Sequence, residues 1–439
     1  MKKFIQTIKN IYKIEELRKR IVYTFLLILV YRLGSFIVLP GIDPSVIAEF
    51  SASMSNRTDA LSLLNMFSGG AFGNVSIFAL GVMPYISASI VVQLLGVFVG
   101  RFRKMQAEES GRRKLNQITR LLTIVILCIQ GPAYISNIMH QYPNAFLVSS
   151  KLYILAATVI LLGGSMFVMW LGERITERGI GNGISLIIMI GIIARLPQAF
   201  MAEVLSKAGS TTGGILLLIV EFVILFFVFV AAIALVQAVR KVPVQYANRV
   251  IGNKQYGGVR QYIPLKVNAS GVMPIIFAQA IMLFPIIFSR FDATRGFAAA
   301  MSNYTGLWYN LVFGFLVIVF TYFYTAVTFQ PNMMAEDMKK NGGFIPGVKP
   351  GKKTMEYLDT IMTRIVLPGS IFLAIIAVLP AIATLCGVNN QFASFYGGTS
   401  LLILVGVVLD TLQQVESHLL MRHYDGLMKT GRLTGRSGM

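Results

Sequence analysis

The stretch GVMPYISASI occupies residues 81–90, and GVMPIIFAQA occupies residues 271–280. The two share Gly-Val-Met-Pro, and they also share an Ile and an Ala in the apolar run that follows. Each run is long enough to begin a membrane span. Pro84 and Pro274 each lack a backbone donor, which predicts a bend near the start of each helix. The pair indicates an internal repeat, which can be tested against the pattern of the rest of the chain.

The composition indicates a membrane protein. The chain has 439 residues, of which 55% are hydrophobic and only 13% are charged, and its mean hydropathy is +0.68. A helix needs about 20 mostly apolar residues to cross a bilayer. We therefore predict an all-α polytopic protein with ten transmembrane helices, at roughly 21–39, 74–99, 117–137, 152–171, 183–200, 214–239, 270–288, 309–330, 362–385 and 398–416.

Lysine and arginine alternate between the loops. They are abundant in the N-terminus, 100–116, 240–266, 331–356 and the tail after 417, and scarce in the loops between these segments. Positive residues in short loops stay on the cytoplasmic side, so we expect both termini in the cytoplasm. Most of the net charge of +20 then lies on that face, where it contacts anionic lipids. The segment 240–266 also carries three tyrosines, which predicts a protruding loop that meets RNA phosphates or an acidic protein surface.

The repeat fits this span count. The GVMP copies begin the second and the seventh span, the same place in two sets of five. Because five is odd, the second set starts from the opposite side of the membrane, so we predict two inverted five-helix halves around a central pore. We place the halves at 21–200 and 214–416, between a cytoplasmic N-terminus at 1–20 and a cytoplasmic tail at 417–439. The second half carries the cytoplasmic loops 240–269 and 331–361.

Chemistry-bearing residues are sparse. The clear cases of charged residues within the spans are Arg32, Glu221, Arg364 and Asp410, of which Asp410 is the best candidate for a relay. The three histidines form no metal-binding motif, so we expect no enzyme, no cofactor and no metal site. Two further classes stay open. A substrate-specific secondary transporter with inverted repeats needs a polar site at the midplane, and an intramembrane lipid-modifying enzyme needs a catalytic constellation facing the headgroups.

Several long motifs carry a family resemblance. They are NMFSGGAFGNVSIFALGVMPYISASIVVQLL, GRRKLNQITR, MWLGERITERGIGNGIS, PLKVNASGVMPIIFA, GFIPGVKPG and YGGTSLLILVGVVLD. From about Arg18 to the last span, the chain resembles the bacterial SecY family, the channel subunit of the general protein-translocation machinery. The resemblance implies a channel in the bacterial plasma membrane. Such a channel passes unfolded polypeptides across the membrane and releases hydrophobic segments sideways into lipid.

The resemblance also implies roles for particular residues. A ring of aliphatic side chains would close the pore at Val82, Ile86, Ile188, Ile276 and Ile403. A plug at about 57–73 would fill the external funnel, with Leu64, Met66, Phe67, Ser68, Gly69 and Gly70 as its candidate residues. Gln93 and Asn268 match polar positions of a lateral gate, whose hydrogen bonds would hold the closed state.

The two cytoplasmic loops resemble docking sites for a motor and the ribosome. The candidate residues are Arg240, Lys241, Arg249 and Lys349. Lys349 departs from the Arg of the usual GxRPG pattern, so it keeps the charge but loses the planar fork that binds carboxylate or phosphate bidentately. The expected partners are SecE-like and SecG-like small subunits, the SecA motor ATPase and the ribosome, with signal sequences and unfolded polypeptides as substrates.

Overall fold

The computed structural model describes residues 14–47, 51, 65–146, 151–208, 214–246, 249–251, 254–256, 260–282, 296, 301, 303 and 305–430. Helices dominate this part of the chain. They are α1 (Glu15–Gly34), α2 (Met83–Phe98), α3 (Gly100–Ala107), α4 (Glu109–Gln141), α5 (Lys151–Arg178), α6 (Gly183–Ala208), α7 (Gly214–Gln237), α8 (Met273–Met282), α9 (Leu307–Thr328), α10 (Pro331–Lys340), α11 (Lys352–Leu385), α12 (Asn390–Ala393) and α13 (Gly398–Thr430).

Each of the ten predicted spans overlaps a described helix. Seven stretches of the described chain are long and apolar enough to cross a membrane, and they comprise α4, α5, α6, α7, α9 with α10, α11 and the first 22 residues of α13. The other three predicted spans fall on α1, α2 and α8. Glu15 and Glu16 lie in the first turn of α1, α2 has 16 residues, and the described part of α8 has 10. The helical, multi-span class predicted from the sequence is therefore confirmed.

The two GVMP copies have the same local conformation. Gly81 and Gly271 have φ angles of +52° and +64°, a left-handed region that glycine adopts without strain. A helix then begins at each Met, which makes Pro84 and Pro274 the second helical residue. A proline in the first turn removes no intrahelical hydrogen bond, because that N–H has no partner within the helix. The predicted bend is wrong, and both prolines are ordinary helix-start residues.

The second span begins nine residues later than its predicted start at 74. Residues 68–82 form successive turns instead of a helix, and Val75 has a φ of +45°. These turns pair with the chain after α1, since Leu39 N–H donates to Val75 O at 3.0 Å and Ile77 N–H donates to Ile37 O at 2.9 Å. Residues 74–82 are as apolar as the helix that follows them, so composition alone could not predict that they form turns.

One apolar core, here called the central cluster, lies where the two halves meet. The N-terminal half contributes buried side chains from α1, α5, α6 and the segment 66–82, and partly buried side chains of α2 pack against them. The C-terminal half contributes the end of α11, the segment 388–396 and the start of α13. A second cluster lies within the C-terminal half, between α7, α8, α9, α11 and α13. The central cluster therefore joins the halves.

Two small β-sheets form outside the spans, and the sequence analysis predicted neither of them. Their strands are β1 (Val239–Tyr246), β2 (Arg249–Ile251), β3 (Lys254–Tyr256), β4 (Arg260–Lys266) and β5 (Gly343–Phe344). Strand β1 pairs antiparallel with β4 along its length and with β5 at its end, while β2 pairs with β3. Val242 and Val244 point inward between exposed neighbours, the alternation of a half-buried strand. The two predicted cytoplasmic loops thus form one folded unit.

Candidate functional site

Four of the five candidate ring residues lie in the central cluster. Val82, Ile188 and Ile403 are 5–7% exposed, and the half-buried Ile86 packs against them. They come from the entry to α2, from α2 itself, from α6 and from α13, so helices of both halves converge on one aliphatic surface. Branched aliphatic side chains exclude water and ions and offer no hydrogen bonds. This surface can close a pore without recognising a particular substrate.

Ile276 lies elsewhere in the described structure. It is half-buried and outside the central cluster, whereas Val272, one turn earlier, packs against that cluster. The amide of Ile276 donates to Val272 O at 3.4 Å, as the amide of Ile86 donates to Val82 O at 3.1 Å. The backbone correspondence between the two repeats is thus retained, but the side chain nearest to the cluster differs. Val272 was not singled out from the sequence, although it holds the same repeat position as Val82.

The candidate plug residues lie against the same surface. Met66 and Phe67 are buried members of the central cluster. Ser68, Gly69 and Gly70 follow as a turn, and Leu64 lies outside the described residues. The aliphatic surface is therefore covered on one side by a segment that is not part of any span.

Two side chains of α1 hold this turn through its backbone. Tyr31 is buried, and its hydroxyl donates to Ser68 O at 3.2 Å. Arg32 Nη1 donates to Gly69 O at 2.8 Å, and its guanidinium also lies 4.7 Å from the ring centre of Phe36. Sequence analysis noted Arg32 only as a charge within a span. Its partner is a backbone carbonyl, which no sequence motif reveals.

Glycines allow the turn to approach α6. Gly69 and Gly70 have φ angles of +64° and +94°. A Cβ on Gly191 of α6 would lie 2.7 Å from Phe67 O, and a Cβ on Gly70 would lie 2.7 Å from Nη2 of Arg195. Real side chains do not tolerate such distances, so backbone packs directly on backbone here. The sequence analysis named the plug glycines but missed Gly191 and Arg195.

The two candidate gate residues form local hydrogen bonds. Gln93 Nε2 donates to Ser89 Oγ at 3.2 Å, and Asn268 Oδ1 accepts from Ser270 Oγ at 3.3 Å. Neither bond links the two halves. A contact that does link them is the stack of Phe98 of α2 on Phe323 of α9, with ring centres 6.3 Å apart and planes 24° apart. The sequence signal that could have predicted this contact is the presence of aromatic residues near the ends of the spans.

Three of the four candidate docking residues have described side-chain exposure. Arg240 and Lys241 are exposed on β1, and Lys349 is exposed in the turn before α11. Arg249 lies on β2, and its side chain is outside the described part. Strand β5 pairs with β1 at Gln245, which joins the two loops that carry these residues. Arg240, Lys241 and Lys349 therefore lie on segments that one sheet joins, whereas Arg249 lies in the separate two-stranded sheet.

Charged residues in the spans divide into two groups. Arg364 and Asp410 are exposed, so Asp410 is not a buried relay as the sequence analysis allowed. Glu221 is buried and pairs with Lys207, whose Nζ lies 2.9 Å from Glu221 Oε1. Glu203 is buried beside them. The sequence analysis missed Glu203 and Lys207 because it ended the fifth span at residue 200, whereas α6 continues to Ala208.

Comparison with known proteins places this geometry in a family. The SecY family model matches residues 76–412. Among curated proteins, "Protein translocase subunit SecY" of Chlamydia trachomatis is 39% identical over 98% of this chain and 99% of its own length. The protein of the same name from Halalkalibacterium halodurans is 41% identical, covering 97% of this chain and 100% of the relative.

Solved structures agree at the level of the fold. One concerns the plug domain of a SecY protein and the closed state of its translocation channel. It has a TM-score of 0.60 and 18% sequence identity, and the match covers 94% of each chain. The Sec61 chain of a canine ribosome-channel complex has a TM-score of 0.57 and 16% identity, again over 94% of each chain. From the family model, the full-length relatives and the shared fold, this chain is a member of the SecY family.

Proposed function

We propose that this chain is the central pore-forming subunit of a protein-translocation channel. It passes unfolded secretory polypeptides across the bacterial plasma membrane and releases transmembrane segments laterally into lipid. The curated relatives that match nearly its whole length are named as protein translocase subunits. The observation that supports the proposal is the central cluster, which brings together Val82, Ile188 and Ile403 from both halves with Met66 and Phe67, and against which Ile86 packs. We propose that these aliphatic side chains form the closure of the pore.

The apolar character of this closure favours a conduit over a carrier. A secondary transporter recognises its solute and coupling ion through polar groups near the midplane. The closure instead presents Val and Ile, which a passing chain of any sequence can cross without breaking hydrogen bonds. A channel that passes polypeptides of unrelated sequence needs a closure that does not select among them.

The test is a site-specific crosslink to a passing chain. Cys128 and Cys386 are exposed and are first replaced by Ser. A single cysteine is then introduced as Ile188→Cys in the closure, or as Ile224→Cys on the exposed face of α7 as the matched control. A stalled secretory polypeptide with one cysteine in its middle is engaged in membranes that contain the variant channel.

The expected result is a crosslink at position 188 that requires a functional signal sequence, with none at position 224. Equal crosslinking at both positions would indicate nonspecific proximity. Absence of the crosslink at 188, with motor and small subunits demonstrated in the same membranes, would contradict the conduit.

The remaining assignments form part of the same proposal. Both termini and the β-sheet unit face the cytoplasm, as the distribution of Lys and Arg supports. Residues 57–73 act as the plug, and Gln93 and Asn268 belong to the lateral gate. SecE-like and SecG-like subunits, the SecA motor and the ribosome are the partners, and they supply the energy for transport.

The sheet unit supplies a docking prediction. We expect the double variant Arg240→Glu, Lys241→Glu to weaken motor or ribosome binding roughly tenfold at low salt, because two exposed cations become anions. Binding is measured over a series of salt concentrations, and the loss should shrink as salt screens the charges.

The matched control for this variant is Arg113→Glu, Lys114→Glu, which makes the same charge change at exposed positions of α4. If both variants weaken binding equally, overall charge rather than the sheet unit governs docking. If neither does, the docking role of Arg240 and Lys241 is wrong.

A further inference from the structure

Three ionisable side chains are buried together where the last turns of α6 meet the second turn of α7. Glu203 is 1% exposed and Glu221 is 4% exposed, and the side chain of Lys207 is 12% exposed. Glu203 and Lys207 are one turn apart on α6 of the N-terminal half, and Glu221 lies on α7 of the C-terminal half. The group therefore lies at a second junction of the halves.

These residues connect four segments. Lys207 Nζ lies 2.9 Å from Glu221 Oε1 and 3.7 Å from Glu203 Oε1, and it donates a hydrogen bond to Gly387 O at 2.9 Å. Asn389 N–H donates to Glu203 Oε2 at 2.8 Å. The Tyr396 hydroxyl donates to the backbone carbonyl of Glu221 at 2.8 Å. Helices α6 and α7 are thus tied to each other and to the chain on both sides of α12.

Aromatic side chains pack next to this group. The ring of Phe222 contacts the rings of Phe200 and Phe392 at 5.6 and 5.8 Å between centres, and Phe392 contacts Tyr396 at 5.6 Å. Such surroundings keep the local dielectric low, so a buried carboxylate without a partner is costly. The charges of the group have to balance internally.

Charge and hydrogen-bond donors do not balance if both carboxyl groups are ionised. Two carboxylates and one ammonium leave one negative charge, and an ionised carboxylate can only accept hydrogen bonds. Both carboxyl groups approach the same ammonium group, since Lys207 Nζ lies 2.9 Å from Glu221 Oε1 and 3.7 Å from Glu203 Oε1. Within the described chain, Glu203 Oε1 and Glu221 Oε2 accept no hydrogen bond, and the contact of Glu221 Oε1 is its ion pair with Lys207. A single proton supplies both the missing donor and the missing charge, as in other paired carboxyl groups.

We propose that Glu203 and Glu221 share one proton and, with Lys207, form a neutral proton-binding site that fastens α6 to α7 and to residues 387–396. The other titratable group that faces the site from the described chain is Tyr396. Burial raises the pKa of Tyr396 well above its usual value, and Glu221 and Glu203 raise it further, so its hydroxyl remains a donor. The proton site stands apart from the transport role, because its evidence is the local geometry.

The direct test is the infrared band of a protonated carboxyl group in the full-length chain in lipid nanodiscs. We expect this band at neutral pH in the parent and expect it to disappear in Glu203→Gln and in Glu221→Gln. The control Glu336→Gln changes an exposed carboxylate of α10 and should leave the band unchanged. A parent without the band, or a band that persists in both Gln variants, would overturn the proposal.

Thermal unfolding provides the second test. If the folded state holds one more proton than the unfolded chain, stability falls as the pH rises above the ordinary range of Glu, near 4.3, toward the pH at which the site loses its proton. The Tm of the parent should therefore decrease over this interval relative to the Tm of Glu221→Gln, whose amide needs no proton. Parallel Tm curves for the two proteins would contradict a shared proton. The infrared pH titration of the parent gives the same answer if the variant fails to fold.

Discussion

Replacing Ile188 and Ile403 together by Gly is expected to make the resting channel leak ions, with a conductance at least about tenfold above that of the parent. Both side chains are buried in the central cluster, and they approach it from different halves. Their removal leaves a space large enough for water, and a hydrated constriction no longer excludes ions. Ion flux through channels in proteoliposomes measures the effect.

Two controls separate a leaking closure from general damage. Ile135→Gly removes a fully buried side chain of α4 outside the central cluster and should destabilise the protein without the leak. Ile276→Gly should leak little, because Ile276 is half-buried and outside that cluster. A leak from Ile276→Gly as large as that of the double variant would return Ile276 to the ring that the family resemblance implies. A tight double variant would remove Ile188 and Ile403 from the closure.

The sequence predicted the features that repeat or that depend on composition. Ten apolar runs, their alternating charge and the GVMP pair led to the helices, and the helix starts at Met83 and Met273 share one conformation. The motifs also named Val82, Ile86, Ile188 and Ile403, which lie in or against the central cluster. Their role as a pore ring stays a prediction.

The sequence did not predict features that depend on distant backbone atoms. Arg32 contacts a carbonyl 37 positions away, and Gly191 contacts the backbone near Phe67. A carbonyl oxygen belongs to every residue, so no pattern of side chains reveals such a partner. The group of Glu203, Lys207 and Glu221 was missed for a different reason. The sequence analysis ended the fifth span at residue 200 and so placed Glu203 and Lys207 in a loop, whereas the helix continues to Ala208 and brings both residues to Glu221.

The strands of the sheet unit were not predicted because charged residues and a proline mask their alternating pattern. Residues 239–246 contain the inward-facing Val242 and Val244, but Arg240, Lys241 and Pro243 obscure the alternation. The partner that completes the sheet, β5, is nearly a hundred residues away and only two residues long. Burial against Met338, Leu358 and Met362 stabilises the strands, and this tertiary contact is not encoded within the loop itself.

A second large effect is expected where the candidate plug contacts α6. Gly191→Val is expected to give a resting leak and to admit polypeptides whose signal sequences are less apolar than the parent channel requires. A Cβ at this position would lie 2.7 Å from Phe67 O and 3.1 Å from Gly69 N, so the turn cannot approach α6 as it does now. Overpacking of this kind costs about 1–3 kcal/mol, which shifts a closed-to-open equilibrium roughly 5- to 150-fold.

The signal sequence has to supply only the remaining difference between the closed and open states. A variant with a weakened closed state therefore needs a less apolar signal, and translocation of a graded series of signal sequences measures the change. Gly163→Val is the matched control, because a Cβ on this α5 glycine would meet no atom within 4 Å. Its channel should stay closed and keep the parent's requirement. If Gly191→Val behaves like Gly163→Val, the turn at Ser68–Gly70 does not seal the resting channel, and closure depends on the aliphatic side chains alone.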